Sequence, residues 1–226
     1  MAVAGVLLAI ALISSVIPRL QGQLLAAYPR TVNSHLDLKP SLAVLQQALA
    51  DLERASLDPD PAHSQLLGIL AATMAGADPG MPLTAKIAYL NRAKTAFIDG
   101  LAGSPVDPYG WYRLAVINQQ TGAPLADILQ AAKLSLYAGP VEPELLLPRI
   151  KLLYTYRRYL DEELQGLCRN QFRLAWELRK RELLVWLAQE TGAMAWIEPV
   201  FVNHLDEWSE LQNAVAKLAK TTAARR

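Results

Sequence analysis

Apolar positions recur at helical spacing along almost the whole chain, and no stretch alternates apolar and polar residues long enough to mark a strand. Pro- and Gly-rich breaks divide the periodic runs. The pattern predicts helices over 41–57, 63–77, 83–103, 107–120, 125–137, 143–160, 161–180 and 182–191. A final amphipathic helix is predicted from Asn203 to Lys220, with Leu205, Trp208, Leu211, Val215 and Leu218 on one stripe. The expected fold class is all-α: antiparallel helical hairpins joined by short connections.

The first eighteen residues break this rhythm by being apolar on every side. They contain no Asp, Glu, Lys, Arg or His, and Val6, Leu7, Leu8, Ile10, Leu12 and Ile13 supply most of the bulk. As a helix, the stretch before Pro18 spans ~25 Å, the short end of what a bilayer core requires. Leu20 to Tyr28 would complete the crossing or lie at the interface, and Pro18 is expected to kink or end the helix. A cleaved signal peptide would want a basic n-region, which is missing before Arg19. A core helix starting at the first residue without caps is an odd element. A retained transmembrane anchor over 1–28 is the better reading, and a Gly5-x-x-x-Ala9 pair offers it a small-residue packing face. Arg19 and Arg30 follow the segment and nothing basic precedes it, a weak bias toward a cytoplasmic body.

Composition narrows the classes of function. Of the 226 residues 52% are hydrophobic and 19% charged, which excludes a disordered chain. Twenty-two basic residues nearly cancel twenty-one acidic ones, so a general nucleic-acid binder is not expected. The lone Cys168 rules out an internal disulfide and a Cys-based zinc site.

Internal similarity appears in the middle of the chain. Ala93, Phe97, Gly100 and Pro105 are followed by Trp111, Leu114 and Ala115, and Gly122 supplies a hairpin turn. Ile128, Ala132, Ser135 and Pro140 repeat the first set, and Cys168, Phe172 and Ala175 make a looser third copy with Lys180 in the proline position. On these residues the chain resembles tetratricopeptide-repeat proteins over roughly 63–200, in which paired helices of ~34 residues stack because no hairpin buries its own apolar face. The resemblance implies Ala93, Phe97, Gly100, Trp111, Leu114, Phe172 and Ala175 as repeat core. It implies four regions: an anchor over 1–28, a spacer and first helix over 29–62, repeats over 63–202, and a capping helix with a basic tail over 203–226. The layout also resembles small bacterial envelope proteins, implying a single pass through the inner membrane and a scaffold or accessory subunit.

Catalytic constellations are scarce. His35, His63 and His204 fall in no HxxxH or HExxH spacing, and no nucleophile elbow, Walker loop or dinucleotide fingerprint is present. His204 with Asp206 and Glu207 reads better as a helix start than as an acid–base cluster. Cys168 reads as a packed thiol. No cofactor or metal is implied. Basic residues crowd 157–181, and the last ten residues carry four positive charges and no negative one; such a tail suits anionic lipid in a cytoplasmic body, although a solvated terminus is the more common use of that composition. Tyr154, Tyr156, Arg157 and Arg158 are the candidate contacts for a protein partner, should they be exposed. The expected function is non-catalytic: binding membrane lipid through the N-terminal helix and protein partners through the repeats. A polysaccharide-binding envelope protein, stacking sugars on groove aromatics, is the alternative.

Overall fold

Local chemistry sets where the helices begin. The Asp60 carboxylate accepts from the amide of Ala62 at 2.9 Å, and that of Asp107 from the amide of Tyr109 at 2.9 Å, each with a proline as the next residue. These caps satisfy donors that a helix N-terminus leaves open, while proline loses an amide that had no partner there. Asp161 caps its helix by accepting from Leu164 at 2.7 Å. Gly122, at φ 67°, supplies a left-handed position in the turn that follows the second of these helices.

The computed structural model describes residues 2–55, 60–190 and 192–223, with side chains from Val16 to Leu218 except Pro18 and the residues between those spans. Among them every regular element is helical. The elements are α1 (Ala2–Ser34), α2 (Leu42–Ala55), α3 (Pro61–Ala77), α4 (Leu83–Gly103), α5 (Pro108–Gln120), α6 (Leu125–Ala138), α7 (Pro143–Thr155), α8 (Glu162–Leu178), α9 (Lys180–Gln189), α10 (Ala193–Ile197) and α11 (Leu205–Ala223). Contacts group residues 1–128 into one unit and 129–226 into another.

In the first unit α3 and α4 form the most extensive helix pair, α2 packs on α1 and α3, and α5 packs on α4. Gly68 explains the close approach of α3 and α4: a Cβ there would lie 2.6 Å from the Phe97 ring. Ala93, Phe97, Leu114 and Ala115 are buried, and Trp111, half-buried, donates its indole N–H to the Pro105 carbonyl at 2.8 Å. The α3–α4 hairpin, Pro61 to Gly103, is longer than a ~34-residue repeat unit. Helix α2, the first helix expected after the spacer, is part of this packed unit.

Helix α1 departs from expectation. It runs unbroken from Ala2 to Ser34, so position 18 does not end it. Gly22, Ala26, Pro29 and Val32 are buried toward the unit, and α1 packs on α2 and α3, so the body begins before residue 28. Among the described residues no helix is long and apolar enough to cross a membrane. The side chains of Val6, Leu7, Leu8, Ile10, Leu12 and Ile13, which carry the anchor expectation, lie outside the described ones.

The second unit packs α7 on α8, α9 on α8 and α11 on α9. Phe172, Ala175 and Cys168 are buried in α8. The helix expected over 143–160 stops at Thr155 and gives way to a tight 3-10 turn, Arg157–Tyr159. That expected over 161–180 ends at Leu178, and α9 starts two residues later. Helix α10 and the 3-10 turn Glu198–Phe201 fill a stretch for which no helix is predicted, placing Trp196 against Phe172 and Tyr154.

Candidate binding surfaces

The first unit offers a groove between α3 and α5 of about 250 Å³. Its floor is the Phe97 ring, its walls are Ile69 and Ala72 from α3 and Val116 from α5, and Tyr112 and Arg113 stand among the lining residues. Helical spacing places Tyr112, Arg113 and Val116 on one face of α5. Burial lowers the Arg113 guanidinium from its ordinary value, with Asp107 and Tyr109 acting in the other direction, and its carbon sits 5.7 Å from the Tyr109 ring centre. A half-buried cation beside an apolar floor matches an apolar side chain with a carboxylate next to it.

Helix α1 contributes a second surface. Val16, Ile17, Leu20, Leu24 and Tyr28 are exposed, Leu24 at 76% and Leu20 at 58%. They recur every three to four residues on the side opposite Gly22, Ala26 and Pro29. This face lacks a charged residue from Val16 to Tyr28, and its N-terminal end joins the uncharged first eighteen positions. Beside it, Arg30 donates to the Gln23 carbonyl oxygen at 2.6 Å and meets His63 Nε2 at 3.0 Å, while Gln23 donates to Asp60 at 3.2 Å. His63 is buried at 2% exposure. This polar cluster ties α1 to the start of α3.

In the second unit the four candidate contact residues separate. Tyr154 is buried, with its ring 5.5 Å from that of Trp186 and 5.2 Å from that of Trp196. Arg157 folds back onto it, 4.1 Å from the ring centre, and donates to the Tyr154 carbonyl at 3.0 Å. Tyr156 is half-buried, so of the segment's aromatic and basic residues only Arg158 and the neighbouring Tyr159 are exposed. The aromatic spacing of YTYRRY matched an interface as well as a core, and the 3-10 turn decides between them.

The basic stretch is paired only in part. Arg179 meets Glu182 at 2.8 Å, Lys180 meets Glu210 at 2.5 Å, and Arg173 contacts His204 at 2.5 Å. His204 also lies 3.2 Å from Glu207, while Asp206 is exposed. Lys133 and Tyr137 both bond Glu163, and the Lys133 ammonium holds its carboxyl below the usual range. Burial pushes the Cys168 thiol up to about 12, which leaves it protonated at neutral pH. No group of three His, Cys, Asp or Glu side chains able to hold a metal ion occurs among the described residues.

One buried polar feature escaped the sequence reading. Arg149, at 1% exposure, donates from Nε to Ser135 Oγ at 3.0 Å, from Nη2 to the Ser135 carbonyl at 2.6 Å and from Nη1 to the Gly139 carbonyl at 2.8 Å. Gln171 completes the clasp by donating to the Pro140 carbonyl at 2.8 Å. Ser135 and Pro140 stand where the repeat pattern wants a small contact residue and a terminator; here Ser135, with Gly139, also anchors the guanidinium that caps the end of α6, and Pro140 accepts from Gln171. No family model, curated protein or solved structure matches the chain.

Proposed function

We propose that this chain is a membrane-tethered helical adaptor that works by binding, without catalysis, as a degenerate tetratricopeptide-like array. The observation that carries the reading is the exposed apolar face of α1, Val16 to Tyr28, joined to eighteen uncharged residues. Exposed apolar area of this kind costs about 25 cal/mol for each Å² left in water, which favours a lipid or protein cover. From Ala2 to Tyr28 the helix measures about 40 Å, the thickness of a bilayer core with its headgroups. In this reading the residues before Pro18 sit in hydrocarbon, and the Val16–Tyr28 face lies at headgroup depth with the first unit behind it. The location proposed is a single pass in a bacterial inner membrane, with the weak charge bias toward a cytoplasmic body.

The partner surface in this reading is the α3–α5 groove with Arg113 in the first unit; Arg158 and Tyr159 are a separate exposed pair in the second unit. The repeat resemblance is supported by the burial of Phe97, Leu114, Phe172 and Ala175 and by the Gly68–Phe97 contact. Sugar stacking has less support, because Trp176 and Trp186 are buried and Trp208 stacks on Phe201. Two measurements test the proposal on native membranes. The chain is expected to resist carbonate extraction, and a photo-crosslinker at Tyr112 is expected to trap one discrete partner, lost in Arg113→Glu. Release by carbonate removes the tether. A crosslinking pattern unchanged by Arg113→Glu removes the groove.

A further inference from the structure

The last helices of the second unit hold a surface that the adaptor reading does not use. Between α9 and α11 lies an open groove of about 540 Å³. Its floor is wholly aliphatic: Leu184 and Val185 from α9, Ala214 and Leu218 from α11. Its rim is cationic: Lys180 and Arg181 one helical turn before the α9 floor residues, Lys217 beside Leu218 on α11. Val185 stands 42% exposed. Lys180 is partly spent, since its ammonium meets Glu210 and lies 3.9 Å from the centre of the Trp176 ring. Arg181 is exposed and has no acidic partner among the described residues.

We propose that this groove is a lipid seat that docks the second unit on the surface of an anionic bilayer. Grease bordered by cations is the chemistry of an interfacial helix, whose apolar side enters the acyl boundary while Lys and Arg meet headgroups. The sequence that follows favours lipid over an acidic protein helix. After Glu210 the chain holds no Asp or Glu, and Lys217, Lys220, Arg225 and Arg226 succeed one another. Lys180, Arg181 and Lys217 border the groove, and the further cations follow in the sequence, a basic run of the kind that anionic membrane surfaces attract. Such spread-out charge answers a diffuse negative plane rather than a few fixed carboxylates. The seat is carried by observations in the second unit and does not depend on α1.

The test uses the full chain, with Val185→Cys labelled by an environment-sensitive dye. Cys168 is buried and stays unlabelled in the native protein. Nanodiscs of phosphatidylcholine alone are compared with discs containing phosphatidylserine, and a quencher is carried on the acyl chains. Quenching is expected in the anionic discs, fading as salt rises. The variant Arg181→Gln with Lys217→Gln removes two rim charges and is expected to leave the circular dichroism unchanged. It should weaken docking about 25-fold, at roughly fivefold for each basic residue near the surface. Equal quenching in both discs, or indifference to salt and to the variant, overturns the proposal. So does a dye shift produced by an acidic amphipathic peptide and absent with anionic lipid. Retention of the chain in the phosphatidylcholine discs reads α1 alone, so failure of the tether and failure of the seat are distinguishable.

Discussion

Single contacts set the tolerance of each unit to change. Gly68→Ala places a methyl against the Phe97 ring, which is itself buried at 1% exposure. The expected cost is ~1–3 kcal/mol, read as a lower urea midpoint, and Phe97→Leu in the same chain should recover part of it. Arg149→Lys keeps a charge but loses the fork that spans the Ser135 and Gly139 carbonyls. At ~1–3 kcal/mol for each buried acceptor left open, it should destabilise the second unit nearly as much as Arg149→Ala, checked by the same denaturation. Cys168 supplies a pH dependence. Its thiol rises from 9.0 to about 12 on folding, so the unfolded chain loses the proton first as pH climbs. Stability from this group is intact below 9.0 and falls about tenfold in equilibrium constant per pH unit above it. The stability difference between the native chain and Cys168→Ala should show that slope above 9.0 and should be independent of pH near neutrality. The core Phe97 and Phe172 were legible in the sequence, because aromatics at helical spacing with small residues beside them have one economical use. Gly68 was not, since a glycine inside a helix reads as a weakness until its neighbour across the hairpin is known. Arg149 was not either, although the five leucines and Ile150 that surround it between Leu145 and Leu153 were the available signal.

Helix boundaries depended on punctuation. Asp60-Pro61 and Asp107-Pro108 place a cap and a proline at the start of α3 and α5, and Glu142-Pro143 repeats the form at α7 without a side-chain cap. Asp107→Ala should cost ~1 kcal/mol through loss of the bond to Tyr109, measured as a shift in thermal midpoint, while Glu142→Ala should cost less through capping. The ends were harder to read. The segment from Tyr156 to Leu160 has helix-compatible composition, and only packing of Tyr154 under Arg157 shows why the chain turns tightly there. The same packing removes Tyr154 from the candidate surface, so the uncertainty over an element's end carried through to the site. For α1 the expectation at position 18 was a kink or an end, and the helix does not end there.

At the scale of the molecule, all-helical architecture followed from periodicity, whereas binding surfaces did not, because they are made where two helices leave a gap. The groove with Arg113 and the apolar row on α1 each need neighbours that no spacing rule names. Leu20→Lys with Leu24→Lys adds two charges to the α1 row without touching Gly22 or Ala26. The double variant should move a large share of the chain into the carbonate supernatant while leaving its circular dichroism unchanged. Because α1 is one rod from its second residue to its thirty-fourth, its two ends are geared together. Inserting a single alanine ahead of Gly22 would swing everything upstream by about 100° and advance it by about 1.5 Å. The compass bearing of the folded body is thereby written into the count of residues that precede it.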